Sequence, residues 1–154
     1  PGLYTPIDPT LLPDMYLLYN THAGGDSGGV HSTVKERWSQ NDPDLIASMQ
    51  RFGQLADEAV NALREGDIVS LATIFEANFA NRRGTYGDDV VGHLNIQVAT
   101  KAKELGLSCK FSGSGGAFIA LRTDGMGFFD SEAEEKVRRE LDILGFAIVR
   151  VTLP

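Results

Sequence analysis

The chain has 154 residues, 42% of them hydrophobic and 23% charged, enough for one domain with its own core. A formal net charge of −7 argues against a nucleic-acid partner, whose phosphates such a surface repels, and no apolar run approaches the ~18 residues of a membrane span. Cys109 is the single cysteine, so no intrachain disulfide forms, and no signal-peptide pattern or basic amphipathic helix is present; these features predict a reduced, cytoplasmic domain with no membrane partner.

Residues 1–13 carry four of the six prolines and read as an extended linker from something upstream; residues 14–154 form the domain. Met15–Tyr19 is a short apolar strand, followed by a loop from Asn20 to Gly29. Val30, Val34 and Trp38 recur at helical spacing. Asn41-Asp42-Pro43 then breaks the chain, with Asp42 as N-cap and Pro43 at the first helical position. The next helix presents Leu45, Met49, Phe52, Ala56, Ala59 and Leu63 and ends at Gly66. Asp67 caps another, with Ile68, Leu71, Phe75 and Phe79 as its stripe, and Arg82-Arg83-Gly84 interrupts it. A fourth helix runs near Asp89 to Leu105 with Gly106 as C-cap. An extended SCKF, a glycine-rich loop and a strand-forming AFIAL follow. Ser131 to Glu134 has the form of a capping box opening a fifth helix, which runs through Val137 and Leu141 to Gly145. The end of the chain alternates, with Ala147, Val149, Val151 and Leu153 on one face. Helices outnumber the short, dispersed strands, which predicts an α+β architecture: a small antiparallel sheet covered by helices on one side.

The chemistry concentrates in few places. Ser112, Gly113, Ser114, Gly115 and Gly116 join two strands. Glycines there mean positive φ or close approach, and successive N–H groups in such a turn form an anion nest. The loop has neither dinucleotide-fingerprint spacing nor the GK[ST] of a P-loop, so either a phosphate lies nearby or another loop packs on it. The second glycine-rich loop, Asn20 to Gly29, feeds a helix N-terminus that attracts anions, but Asp26 opposes one; Ser27 or Asp26 serves as an ordinary N-cap. Asn78 lies beside the apolar stripe of its helix and either caps a neighbouring loop or faces a pocket. Arg82 and Arg83 suit the helix dipole, and equally a carboxylate or phosphate; Asn95 and Gln97 are similarly ambiguous. His22, His31 and His93 have no metal-ligand spacing, so no metal site is expected, and Cys109 reads as core.

KFSGSGGAFIAL resembles the third motif of the galactokinase, homoserine kinase, mevalonate kinase and phosphomevalonate kinase superfamily, the GHMP kinases. With DSGGVHSTVKERW and NFANRRGTYGDDVVGHLNIQ in the same order, the chain from about Leu11 onward resembles the C-terminal half of the glucuronokinases. The resemblance implies a ferredoxin-like C-terminal domain and transfer of the γ-phosphoryl group of ATP to the anomeric hydroxyl of glucuronic acid, with Mg²⁺. The superfamily's phosphate loop, P-x-x-x-G-L-x-S-S-S-A, and its catalytic aspartate lie on an N-terminal domain, and neither occurs in this sequence. The chain then resembles half of an active site, inactive alone, whose partner is its own N-terminal domain. Ser112 to Gly116 would support the ATP-binding loop of that domain. Arg82 or Arg83 would pair the carboxylate of a small sugar acid, and Asn78, Ser27, His31 and Arg37 would line the sugar side. A neutral-sugar kinase of the same superfamily and a non-catalytic binding or regulatory module are the alternatives. A domain severed from its partner is also expected to expose apolar surface and to self-associate.

Overall fold

Two aspartates and a glycine draw the first boundaries in the computed structural model, which describes residues 5–20, 28–113 and 115–152, with the backbone alone for 28–33. The Asp42 carboxylate accepts from the N–H groups of Asp44 and Leu45 and opens α2 (Pro43–Glu65). Gly66, at φ 69°, turns the chain, and Asp67 caps α3 (Ile68–Tyr86) through the Ser70 N–H, so α2 and α3 pack as a helical hairpin. α1 (Gly28–Ser39) precedes them, and α4 (Asp88–Val91) and α5 (His93–Glu104) follow.

Four strands form one antiparallel sheet: β1 (Met15–Asn20), β2 (Leu107–Phe111), β3 (Ala117–Arg122) and β4 (Phe146–Val151), in the order β2-β3-β1-β4. α1 to α5 connect β1 to β2, and α6 (Ser131–Asp142) connects β3 to β4. This is the ferredoxin-like arrangement, with the first and third strands in the centre.

One sheet face carries Tyr16, Leu18, Phe118, Ala120, Phe146 and Ile148, all buried, in a core shared with Val98 and Ala102 of α5 and Val137 and Leu141 of α6. A second cluster joins Ala62, Leu63, Leu71 and Ala72 of the hairpin to Leu121, with Leu12 and Met15 packed on it. Among the described residues, no helix is long and apolar enough to cross a membrane.

The expected elements are present, with five corrections. α3 does not stop at Arg82-Arg83-Gly84 but runs on to Tyr86. A helical glycine costs ~1 kcal/mol, yet the helix continues through Gly84 to buried Thr85, whose carbonyl accepts from Arg37 of α1 and whose hydroxyl donates to the Asn81 carbonyl. The single fourth helix is two, broken at Gly92 (φ 89°), and the C-cap of α5 is Leu105, with Gly106 (φ 83°) one residue beyond. The cap of α6 is Asp130, whose carboxylate accepts from the Ala133 N–H, not the Ser131–Glu134 box. Glu134 instead accepts from the Tyr16 hydroxyl and from Arg150. On β4 the buried face is Phe146 and Ile148, and Val149 on the other face is 39% exposed, because alternation reveals two faces but not which one the helices cover. Helical stripes also shift: Trp38, Ala56 and Leu94 are exposed, and Leu55 and Ala62 are buried.

Phe118→Ala should destabilise the domain by about 3–5 kcal/mol, read from the midpoint of denaturant unfolding, since the ring is fully buried among Phe79, Phe111 and Phe146. Acid should also unfold it. Asp42, Asp67, Asp88 and Asp124 are held below the ordinary 3.8, first by side-chain hydrogen bonds from Arg37, Ser70, Arg83 and Arg122 respectively. The unfolded chain takes up these protons at higher pH than the folded one, so their contribution is complete above about pH 4 and is lost as the pH falls further. A Tm series from about pH 6 to about pH 2 should be flat and then drop.

Candidate functional site

Pairing of Phe111 with Phe118 across β2 and β3 brings together the two ends of the glycine loop. The rings stack at 4.5 Å, and Phe79 of α3 meets both edge-on at 5.4 and 5.8 Å. The Ser112 N–H donates to the Ala117 carbonyl, which closes the turn. Gly115 (φ 142°) and Gly116 (φ 71°) hold backbone conformations that side-chain-bearing residues rarely adopt. Gly116 is fixed from both sides: its N–H donates to Asn95 Oδ1 at 3.4 Å, and its carbonyl accepts from the Asn20 N–H at 2.7 Å. The Asn95 amide also donates to the Val91 carbonyl, which ties the α4–α5 junction to the loop. The N–H groups of Gly113 and Gly115 have no partner among the described residues, leaving donors of the kind an anion nest uses. Ser114 lies outside the described residues.

The paired arginines part company. Arg83 makes a two-pronged bond to Asp88, Nε to Oδ1 at 2.8 Å and Nη2 to Oδ2 at 2.7 Å. Arg82 has no carboxylate partner among the described residues. Its guanidinium lies 4.8 Å over the Phe111 ring and 5.5 Å from that of Tyr86. Burial lowers its pKa, with Tyr86 opposing. Asn78 is one turn earlier on the same helical face, half-buried, with no hydrogen-bond partner among the described residues. Beyond it on that face, Phe75 has its ring 5.8 Å from Lys110 Nζ.

Arg37, grouped by sequence with the pocket residues, is committed to a structural clasp. Its Nε donates to Asp42 at 2.7 Å and its Nη1 to the Thr85 carbonyl at 2.8 Å, joining α1 to the start of α2 and the end of α3. Ser27 and the His31 side chain lie outside the described residues. No group of three or more His, Cys, Asp or Glu among the described residues could hold a metal ion.

A cavity of about 410 Å³ lies between α3 and α5 against β2, lined by Glu76, Lys103, Ser108 and Cys109 among others. Its polar groups satisfy one another: buried Ser108 donates to Glu76 at 2.7 Å and Lys103 donates to its other oxygen at 2.6 Å. Burial opposes ionisation of Glu76, but these two donors together hold its pKa below the ordinary value. Among the described residues, half-buried Arg82, without a carboxylate partner, and the free backbone donors of Gly113 and Gly115 are therefore beside the glycine loop and not in this cavity.

The chain is 40% identical over 124 residues, 80% of its length, to glucuronokinase 1 and to probable glucuronokinase 2 of Arabidopsis thaliana. The chain is a relative of the glucuronokinases. It spans about a third, 34%, of the length of each. Its fold matches Leishmania major mevalonate kinase (TM-score 0.72, 19% identity, 90% of this chain and 42% of that one). It also matches Lactococcus lactis galactokinase (0.60, 13%, 90% and 44%). The chain shares its α+β fold with less than half of each of these two kinase structures. No family model matches the chain.

The sequence leaves Asn95 ambiguous and marks no separate role for Lys110 inside the motif. A lysine between the apolar Cys109 and Phe111, directly before the glycine loop, is the available signal for the latter. Cys109 belongs to the core as expected: it is 4% exposed, and burial, with the Glu76 charge adding to it, pushes its thiol up to about 12. A thiol reagent at about pH 8 should label Cys109 only as fast as the protein opens, so the labelling rate should rise with denaturant in step with unfolding.

Proposed function

We propose that this chain is the substrate-side C-terminal half of a sugar-acid kinase, which phosphorylates the anomeric hydroxyl of glucuronate with ATP and is inactive without its N-terminal domain. The observation that carries the reading is Arg82, a half-buried cation with no counter-ion among the described residues, held at the root of the glycine loop in a relative of the glucuronokinases. Residues 1–13 would join the two halves.

In this reading the anomeric oxygen attacks the γ-phosphorus, the bond from that phosphorus to the β-phosphate oxygen breaks, and ADP leaves. The hydroxyl proton passes to a base on the other half. Such a reaction depends on positioning and charge stabilisation more than on covalent chemistry. This chain's part is to hold the acid: Arg82 grips the carboxylate and Asn78 bonds a sugar hydroxyl. The loop from Ser112 to Gly116, held by Asn95 and Asn20, supports the phosphate-binding loop of the missing half. Mg²⁺ would be held by the triphosphate and the other half, since the described residues here offer no ligand set. The single cysteine, free and buried, supports a cytoplasmic setting. Exposed Val149 and Tyr19, on the sheet face opposite the main core, support self-association of the isolated half, which sedimentation at rising concentration would test.

In the full-length protein, Arg82→Ala should raise KM for glucuronate about 10- to 100-fold, the worth of a charge-assisted hydrogen bond. Arg83→Ala should change it far less, because Arg83 is held by Asp88. Steady-state kinetics with glucuronate and neutral sugars side by side decides: a KM for glucuronate unchanged from the wild type in both variants removes the carboxylate role, and turnover favouring galactose or arabinose makes the protein a neutral-sugar kinase.

A further inference from the structure

Most half-buried cations among the described residues are neutralised by carboxylates. Among the described residues Arg37 has Asp42, Arg51 has Glu58, Arg83 has Asp88, Lys101 has Glu104 and Arg122 has Asp124. Two half-buried cations lack such a partner, Arg82 and Lys110, and they stand together. Both gather around Phe111: Arg82 lies over its ring, and Lys110 Nζ donates to its carbonyl at 2.8 Å, where the strand gives way to the glycine loop.

We propose that Lys110 is the second cation of the acid-binding site, so that Lys110 and Arg82 together seat the substrate carboxylate and Lys110 determines specificity for an acid over its neutral counterpart. The proposal rests on the kinase reading above and adds to it a residue and a selectivity.

Two like charges drawn partly out of water without a counter-ion are a standing cost, relieved when an anion arrives between them. Burial first, and then the Arg82 charge, lower the pKa of Lys110. Half-buried Lys101, by contrast, is paired with Glu104. The two cations divide the work: the planar guanidinium fork can meet both carboxylate oxygens, while the ammonium adds a point charge. Asn78, one turn from Arg82, adds an amide suited to a hydroxyl, so the constellation fits a molecule with an acid at one end and hydroxyls beside it.

The test uses the full-length protein with ATP and two isosteric substrates, D-glucuronate and D-glucuronamide, whose carboxamide removes the charge and keeps the shape. The wild type should favour the acid. Lys110→Gln should lower kcat/KM for the acid about 10- to 100-fold through KM, with a far smaller loss for the amide and an unchanged KM for ATP; Lys110→Arg should restore much of the preference. Turnover of the amide by the variant serves as the folding control. Equal losses for acid and amide would mean that Lys110 only supports the fold, and would overturn the proposal. A raised KM for ATP with the acid's KM unchanged would assign Lys110 to a phosphate and overturn it as well. A wild type that turns over both substrates with no preference for the acid overturns the sugar-acid reading, though not kinase activity, and this site with it.

Discussion

Everything at the candidate site hangs on one aromatic contact, the stack of Phe111 on Phe118. The two rings are cross-strand partners, and the glycine loop is the segment between them, so their stacking sets the span the loop must bridge. Phe79 wedges against both and fixes how α3 lies along the sheet. One turn further along α3, Arg82 comes over the Phe111 ring. Aromatic pairs of this kind contribute ~0.5–1.5 kcal/mol beyond their buried area. Their larger effect here is geometric, because a loop with two positive-φ glycines holds one shape only when both of its ends are clamped.

The second organising constraint is the distribution of charge. The chain is acidic, so carboxylates are plentiful, yet they are used at helix caps and in pairs away from the glycine loop. Asp42, Asp67 and Asp130 cap helices; Asp88 and Asp42 hold Arg83 and Arg37; Glu76 satisfies Ser108 and Lys103 in the cavity between α3 and α5. Beside the loop, the cations remain without counter-ions among the described residues. Net charge alone conveys none of this arrangement, in which an acidic chain keeps two half-buried cations unneutralised at one place among the described residues.

Polar side chains that look interchangeable in sequence divide between building the site and furnishing it. Arg37 and Arg83 lock helices, whereas Arg82, separated from Arg83 by one helical step of ~100°, faces elsewhere and lies over the Phe111 ring with no carboxylate partner among the described residues. Asn95 positions the loop through Gly116, and Asn78 is left without a partner among the described residues.

The sequence by itself determined the element types and their order, because caps, left-handed glycines and apolar periodicity act within a few residues of one another; Asp42, Gly66 and Asp67 are legible for that reason. It also carried the resemblance, since the glycine loop and the paired arginines are contiguous strings. The outcome of local competition was not legible. Whether α3 crosses Gly84, whether Asp130 or Ser131 caps α6, and which face of β4 is covered depend on Thr85, Arg150 and the helices packed across the sheet. Only the tertiary structure separated Arg82 from Arg83 and set Lys110 beside the former. Ion pairing depends on which carboxylate lies within about 4 Å in space, and for half-buried charges that distance decides whether a side chain is structural or free to bind.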